Sequence, residues 1–504
     1  MAVKIILLIL FFGVMLGIGV YARKHATDVN GFVLGGRSVG PWLTAFAYGT
    51  SYFSAVVFVG YAGQFGYKYG LASTWIGIGN AVLGSLVAWV VLGRRTRIMS
   101  KHLGSMTMPD FFGKRYDSQS LRIAASVIAF IFLIPYTASV YNGLSYLFGM
   151  AFNVDFRICV VVMAVLTGVY VIIGGYMATA WNDLIQGIIM LFGIVAVIAA
   201  VLSGHGGFMA AVKELAQVPS SVMPGAYASF LGPDPANLFG VVILTSLGTW
   251  GLPQMIQKFY AIKDEKAVHT GTIISTLFAI VVSGGCYFLG GFSRISGVKE
   301  AVDGTVKYDT IIPTMLSSLP DILIGIVIVL VLSASMSTLS SLVLTSSSTL
   351  TLDFIKPLFV KKMNEKQQLV WMRVLLAGFI LISVVIALDP PAFIAQLMGI
   401  SWGALAGAFL APFLYGLYWK GVTRAAVWAS FICGVGITVA NMFFRFIASP
   451  INAGAIAMVA GLVIVPVVSL ISPKLKKETV EDVFHCLEEK VMVEQKLALP
   501  DEEE

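Results

Sequence analysis

Thr245-Ser-Leu-Gly-Thr-Trp-Gly-Leu-Pro-Gln254 lies inside an apolar stretch, 237–258, that is long enough to cross a bilayer. Pro253 removes a backbone donor and clashes with the preceding turn, while Gly248 and Gly251 admit dihedrals that other residues resist. Two half-helices are therefore expected here rather than one rod. An earlier segment, 41–66, has the same character: Pro41-Trp-Leu-Thr-Ala-Phe-Ala-Tyr-Gly-Thr-Ser-Tyr-Phe-Ser54, with Gly49 near mid-depth. A simple kink is the plain alternative, since Gly and Pro are frequent in membrane helices. The two interrupted segments are five spans apart, the spacing that an inverted repeat of five helices plus five produces. Spans two to six would then match spans seven to eleven. The unwound segments would meet at the midplane, with carbonyls free for a cation and half-helix N-termini free for an anion.

The remainder of the chain reads the same way. Of its 504 residues, 58% are hydrophobic and only 12% charged, with a mean hydropathy of +0.88. This composition predicts an all-α polytopic membrane protein with about thirteen spans, near 3–22, 41–66, 73–93, 121–148, 157–175, 183–203, 237–258, 269–291, 322–346, 369–388, 392–418, 424–444 and 453–472. Short connections predict a single integral domain over 1–472, with a first repeat over about 41–203 and a second over about 237–418. A charged cytosolic tail, 473–504, ends in Asp501-Glu-Glu-Glu504 and is expected to be solvated. Residues 1–22 are expected to be a retained span, because no small-residue cleavage site is evident.

Basic residues orient the chain. Twenty-five of its thirty-three Lys and Arg residues fall on one side, among them Arg94, Arg95, Arg97, Lys258, Lys263 and Lys266. That places the N-terminus outside and the C-terminus in the cytoplasm of a multi-pass plasma-membrane protein. The net charge of +7 is thus topological and gives no reason to expect nucleic acid. Cys159, Cys286, Cys433 and Cys486 show neither metal spacing nor a disulfide framework.

Chemistry concentrates in the ninth span. Ser333-Ala-Ser-Met-Ser-Thr-Leu-Ser-Ser341 carries six hydroxyls in nine residues, and Ser337, Ser340 and Ser341 share one helical face. Serines in a membrane helix can bond back to their own carbonyls or allow close packing. They can also ligate a small hard cation, which prefers oxygen. Asp183 is the one acid read at the membrane end of a span; it would cap the sixth helix, serve an ion, or both. No acid is expected deep in spans two, seven or nine, which favours sodium over proton coupling. No nucleophile–base pair, metal cluster or nucleotide loop suggests an enzyme.

Three segments in order, Phe32-Val-Leu-Gly-Gly-Arg-Ser-Val-Gly-Pro41, Gly174-Gly-Tyr-Met-Ala-Thr-Ala-Trp-Asn-Asp-Leu-Ile-Gln186 and Ala334-Ser-Met-Ser-Thr-Leu-Ser340, resemble the sodium:solute symporter family of proline, pantothenate, sugar and sialic-acid symporters. The resemblance spans roughly residues 5–450 and implies a LeuT-like fold with sodium-driven uptake. It further implies a sodium site formed by the carbonyls of Thr50, Phe53 and Ala334 with the hydroxyls of Ser337 and Thr338. Members similar to sialic-acid transporters pair an Asp with extra serines, so Asp183, Ser337, Ser340 and Ser341 form a candidate second sodium site. Proline-transporting members carry an acid where this chain has Tyr52, and aromatics where it has Thr245 and Thr249. Both departures argue against proline.

Candidate substrate contacts are Ser54, Asn80, Tyr136, Thr249, Trp250 and Trp402, each of which could equally be core packing. No buried Arg or Lys is expected to clamp an anion, so a half-helix N-terminus would have to hold any carboxylate. The expected protein is a sodium-coupled importer of a small polar solute such as an amino acid, carboxylate or sugar derivative, working as a monomer in the lipid bilayer. A passive channel or a transporter-fold sensor are the alternatives. The former would need a continuous polar lining, and the latter an attached signalling domain.

Overall fold

The computed structural model describes residues 2–297, 306–389 and 393–498. Lys299, Ala392 and the acidic end Asp501–Glu504, which entered the reading of topology, spans and tail, lie outside the described residues. Among the described residues the regular secondary structure is helical, apart from one parallel backbone bridge between Val39 and Ile262.

In chain order the long elements are α1 (Ala2–Ala22), α2 (Pro41–Tyr52), α3 (Val56–His102), α4 (Gln119–Phe152), α5 (Phe156–Gly204), α6 (Pro235–Gly251) and α7 (Pro253–Ala261). Then come α8 (Glu265–Gly290), α9 (Asp321–Leu358), α10 (Glu365–Leu388), α11 (Ile394–Tyr418), α12 (Arg424–Phe444), α13 (Pro450–Ile471) and α14 (Lys477–Ala498). Among the described residues ten helices are long and apolar enough to cross a membrane, or eleven if α6 and α7 form one span. The thirteen expected segments divide the same helices differently: α5 contains two of them, 157–175 and 183–203, and 41–66 is shared between α2 and the start of α3, which also holds 73–93. Gly175, with φ of 54°, bends α5 at the division between the expected fifth and sixth spans. A β-carbon there would lie 2.8 Å from the Phe32 ring, so both the dihedral and the space call for glycine.

Both expected interruptions are present, but one is displaced. Gly49 stays helical within α2; a β-carbon on it would approach the Phe278 ring to 2.4 Å, so it permits close packing rather than unwinding. The chain leaves the helix at Phe53, whose ψ is 86°. It re-enters one residue later, where the Ser54 hydroxyl accepts the Val56 N–H at 3.1 Å. In the second interruption Gly248–Gly251 tightens into a 3-10 turn, Leu252 is extended, and Pro253 starts α7 at a bend of 47°. Proline suits that first helical position because its missing N–H would have had no partner there.

The serine-bearing α9 is the central post, buried without interruption from Leu330 to Thr349 and packed against α4 and α5. Small side chains allow that approach. The half-helices α2 and α7 touch α9 and each other. The tail is not simply solvated: α14 packs against Arg94–His102, with Val483 and Phe484 buried and Lys420 paired to Glu488 at 2.6 Å.

Candidate functional site

The last carbonyls of α2 have no following turn to bond them, and α9 brings hydroxyls to that end. The Thr338 Oγ1 lies 3.3 Å from the Thr50 carbonyl, 3.3 Å from that of Ser51 and 3.1 Å from that of Ala334. One hydroxyl carries one proton and cannot satisfy three acceptors. Beside it the Ser337 hydroxyl donates to the Thr50 Oγ1 at 2.7 Å. Four of the five expected sodium ligands, Thr50, Ala334, Ser337 and Thr338, therefore converge. The fifth, Phe53, ends α2, its N–H bonded to the Gly49 carbonyl at 3.1 Å. The donor set is neutral oxygen only, which fits a small hard cation. Ser51 was not expected; its carbonyl joins this group and its hydroxyl lies 2.8 Å from that of Ser341. Its position between Thr50 and the break was the available signal.

The second expected group is arranged differently. Asp183 caps nothing: it lies inside the helical run 171–204 with both carboxylate oxygens buried and without a hydrogen bond. Its partner is Lys258, whose Nζ is 3.8 Å from the Asp183 Oδ2 and donates to the Ser341 Oγ at 2.9 Å. Lys258 was read as a loop cation, and no buried base was expected; instead it is 1% exposed. The sequence placed it at the end of an apolar stretch, but the bend at Leu252 turns α7 so that this end points inward. Ser340 donates to the Ser337 carbonyl of its own helix at 2.8 Å.

The expected substrate residues are all buried and fall into two groups. Tyr136 and Trp402 meet edge to face with ring centroids 5.8 Å apart, the Ser54 hydroxyl faces Tyr136, and Tyr52 lies against Trp402 at 6.0 Å. The Tyr136 hydroxyl and the Trp402 indole N–H face each other, but neither forms a bond of full hydrogen-bond geometry. Buried polar groups of that kind are uncommon and commonly await a ligand or water. In the other group Ser246 links two residues, donating to the Asn80 Oδ1 at 3.2 Å and accepting at its carbonyl from Thr249 at 3.0 Å. Trp250 donates to the Leu83 carbonyl at 3.0 Å. Between the groups, the Tyr52 hydroxyl donates to the Thr245 carbonyl at 2.5 Å and closes α2 against α6.

A further acid was missed. Asp353, read as a loop residue, is fully buried near the end of α9, 2.8 Å from the Arg122 Nε, while Asp110 sits 3.2 Å from the same guanidinium. These groups line a cavity of about 580 Å³ together with Lys114 and Lys356.

A model of the sodium:solute symporter family matches residues 32–434. The osmoregulated proline transporter OpuE of Bacillus subtilis is 28% identical over 475 residues, covering 92% of this chain and 95% of that protein. A sodium/proline symporter of Staphylococcus aureus is 28% identical over 486 residues, covering 94% and 93%. Among solved structures, the substrate-bound outward-open state of a Na+-coupled sialic acid symporter aligns with a TM-score of 0.76 at 16% identity. It covers 94% of this chain and 99% of that one. A nucleobase-cation-symport-1 family transporter in a closed conformation gives 0.55 at 14%, covering 90% and 97%. At such identities the likeness to both structures is one of fold.

Proposed function

Since the chain belongs to the sodium:solute symporter family, we propose that it carries a small polar organic solute into the cell together with sodium, by alternating access. The solute is an amino acid, a carboxylate or a sugar derivative. The observation that carries this reading is the group of three carbonyls around one hydroxyl, where α9 meets the broken end of α2. A bound sodium ion supplies positive charge that ties α2 to α9. The chain's own part is to hold the oxygens of Thr50, Phe53, Ala334, Ser337 and Thr338 ready and to exclude water from them.

The substrate would lie between the breaks, against Ser54, Tyr136 and Trp402 on one side and Asn80, Thr249 and Trp250 on the other. Its polar groups would engage the Tyr136 hydroxyl and the Trp402 N–H, neither of which forms a bond of full hydrogen-bond geometry. Tyr52 fills space and closes on Thr245, which argues for a substrate other than the proline named for the relatives.

The surrounding arrangement proposed is a five-plus-five inverted repeat within thirteen spans, over 1–472, with the C-terminus in the cytoplasm and the monomer as the working unit. Counterflow of radiolabelled solutes in proteoliposomes, with proline in the panel, tests the function. Exchange of at least one solute that rises steeply with sodium is expected; exchange indifferent to sodium for every solute would overturn it.

A further inference from the structure

We propose that Lys258 is a resident cation: its ammonium fills the position between Asp183 and Ser341 that a second sodium ion would need, so this chain couples to one sodium ion only. The inference rests on the sodium-coupled reading above.

Of the hydroxyl oxygens that could have formed a second ion site, that of Ser341 is taken up by the ammonium, while Ser337 and Ser340 act as donors. Ser341 accepts from Lys258 at 2.9 Å and shares a hydrogen bond with Ser51 at 2.8 Å. Ser340 bonds back to its own helix. Ser337 donates to Thr50 in the first group, and its side chain also faces the Asp183 carboxylate. Neither Asp183 oxygen has a partner within hydrogen-bond distance and angle, and the opposite charge beside it is the Lys258 ammonium at 3.8 Å. A buried carboxylate requires a compensating charge, and here one is covalently supplied. With Lys258 in place the pair is neutral; a sodium ion added beside it would leave two cations sharing one carboxylate.

The ammonium is also held in position. The Tyr176 ring centroid stands 5.2 Å from the Nζ, on the same helix as Asp183 and two turns before it. One residue earlier, Gln257 accepts from the Thr345 hydroxyl at 2.6 Å and donates to the Val33 carbonyl at 2.8 Å. Lys258 meets Ser341 one turn before Thr345, so α7 is docked on α9 at two successive turns. The side chain has neither the exposure nor the slack of a surface lysine.

The test is saturation binding of radioactive sodium to the purified full-length protein. One ion per wild-type molecule is expected, and two per Lys258→Met molecule, because that variant strips Asp183 of its partner. Lys258→Arg, which keeps the charge, and the neutral pair Lys258→Met with Asp183→Asn should each bind one. Two ions in the wild type would overturn the proposal, as would one in folded Lys258→Met. Should Lys258→Met fold only when sodium is present, that dependence supports the proposal, because the ion then replaces the missing ammonium. No sodium binding by the wild type would overturn both this inference and the sodium-coupled reading beneath it.

Discussion

Thr338 stands among more acceptors than its one proton can serve, so its removal should affect the ion before anything else. We expect Thr338→Ala and Ser337→Ala each to weaken apparent sodium affinity by roughly tenfold or more, about 1.4 kcal/mol. Thr338→Ser, which keeps the hydroxyl, should stay close to wild type. Sodium titrations of transport check this, and unchanged affinity in Ser337→Ala would remove it from the ligand set. Ala334 offers a carbonyl, so its side chain should matter little to the ion. Around the substrate, Tyr136→Phe and Ser54→Ala should raise the substrate concentration needed for half-maximal uptake while leaving substrate-free sodium binding within a factor of about two. Equal shifts in both would make these packing residues. The hydroxyl face of α9 was readable because its period matches a helix; the fate of each hydroxyl was not. Ser340 bonds back to a carbonyl three residues before it, whereas Ser341 takes the ammonium of Lys258, 83 residues away on another helix.

At the scale of elements, Arg122 at the start of α4 is paired to Asp353 near the end of α9. Arg122→Met leaves a fully buried carboxylate uncompensated and should cost about 3–5 kcal/mol. Adding Asp353→Leu should recover much of that loss in thermal unfolding. The start of α11 carries a pH dependence. Asp309 accepts the Ile394 N–H at 3.2 Å, yet burial pushes its carboxyl up to about 6 from an ordinary 3.8. The folded state therefore holds this proton more tightly than the unfolded one. Stability should be greatest below about pH 4 as far as this group is concerned, and should fall as pH rises through about 6. Melting temperatures of wild type and Asp309→Asn, compared from pH 4 to pH 8, should differ in slope over that window; parallel curves would contradict it. The tail helix α14 is held by Phe484, with the Arg115 guanidinium 4.9 Å from its ring and Lys420 5.7 Å away. Phe484→Ala should release the tail, about 2 kcal/mol of burial being lost, and expose it to protease while the helical bundle stays intact.

For the whole molecule, hydropathy and the two breaks made the all-helical membrane architecture legible before any coordinates. The breaks were readable because Pro253 and the glycines are local signals; the place of the first was not, since Gly49 serves the Phe278 ring instead. Lys258 was hidden for a related reason. Counting basic residues assigns each to a side of the membrane, and no count reveals that a bend of 47° carries one of them inward. The tail was hidden too, because a charged amphipathic helix reads as solvated until its partner surface is known.

One small feature bears on movement. Val39, just before α2, and Ile262, just after α7, are stitched backbone to backbone: the Val39 N–H donates to the Ala261 carbonyl at 3.2 Å and the Lys263 N–H to the Val39 carbonyl at 3.0 Å. Arg97 clamps the same strip through the Ile262 and Lys263 carbonyls. The two half-helices are thereby yoked at one end like paired oars on a single crossbar. A tilt of either would be handed to the other through this strip, so an ion bound at the proposed site at the far end of α2 would also be felt by α7 without any signal having to cross the bundle.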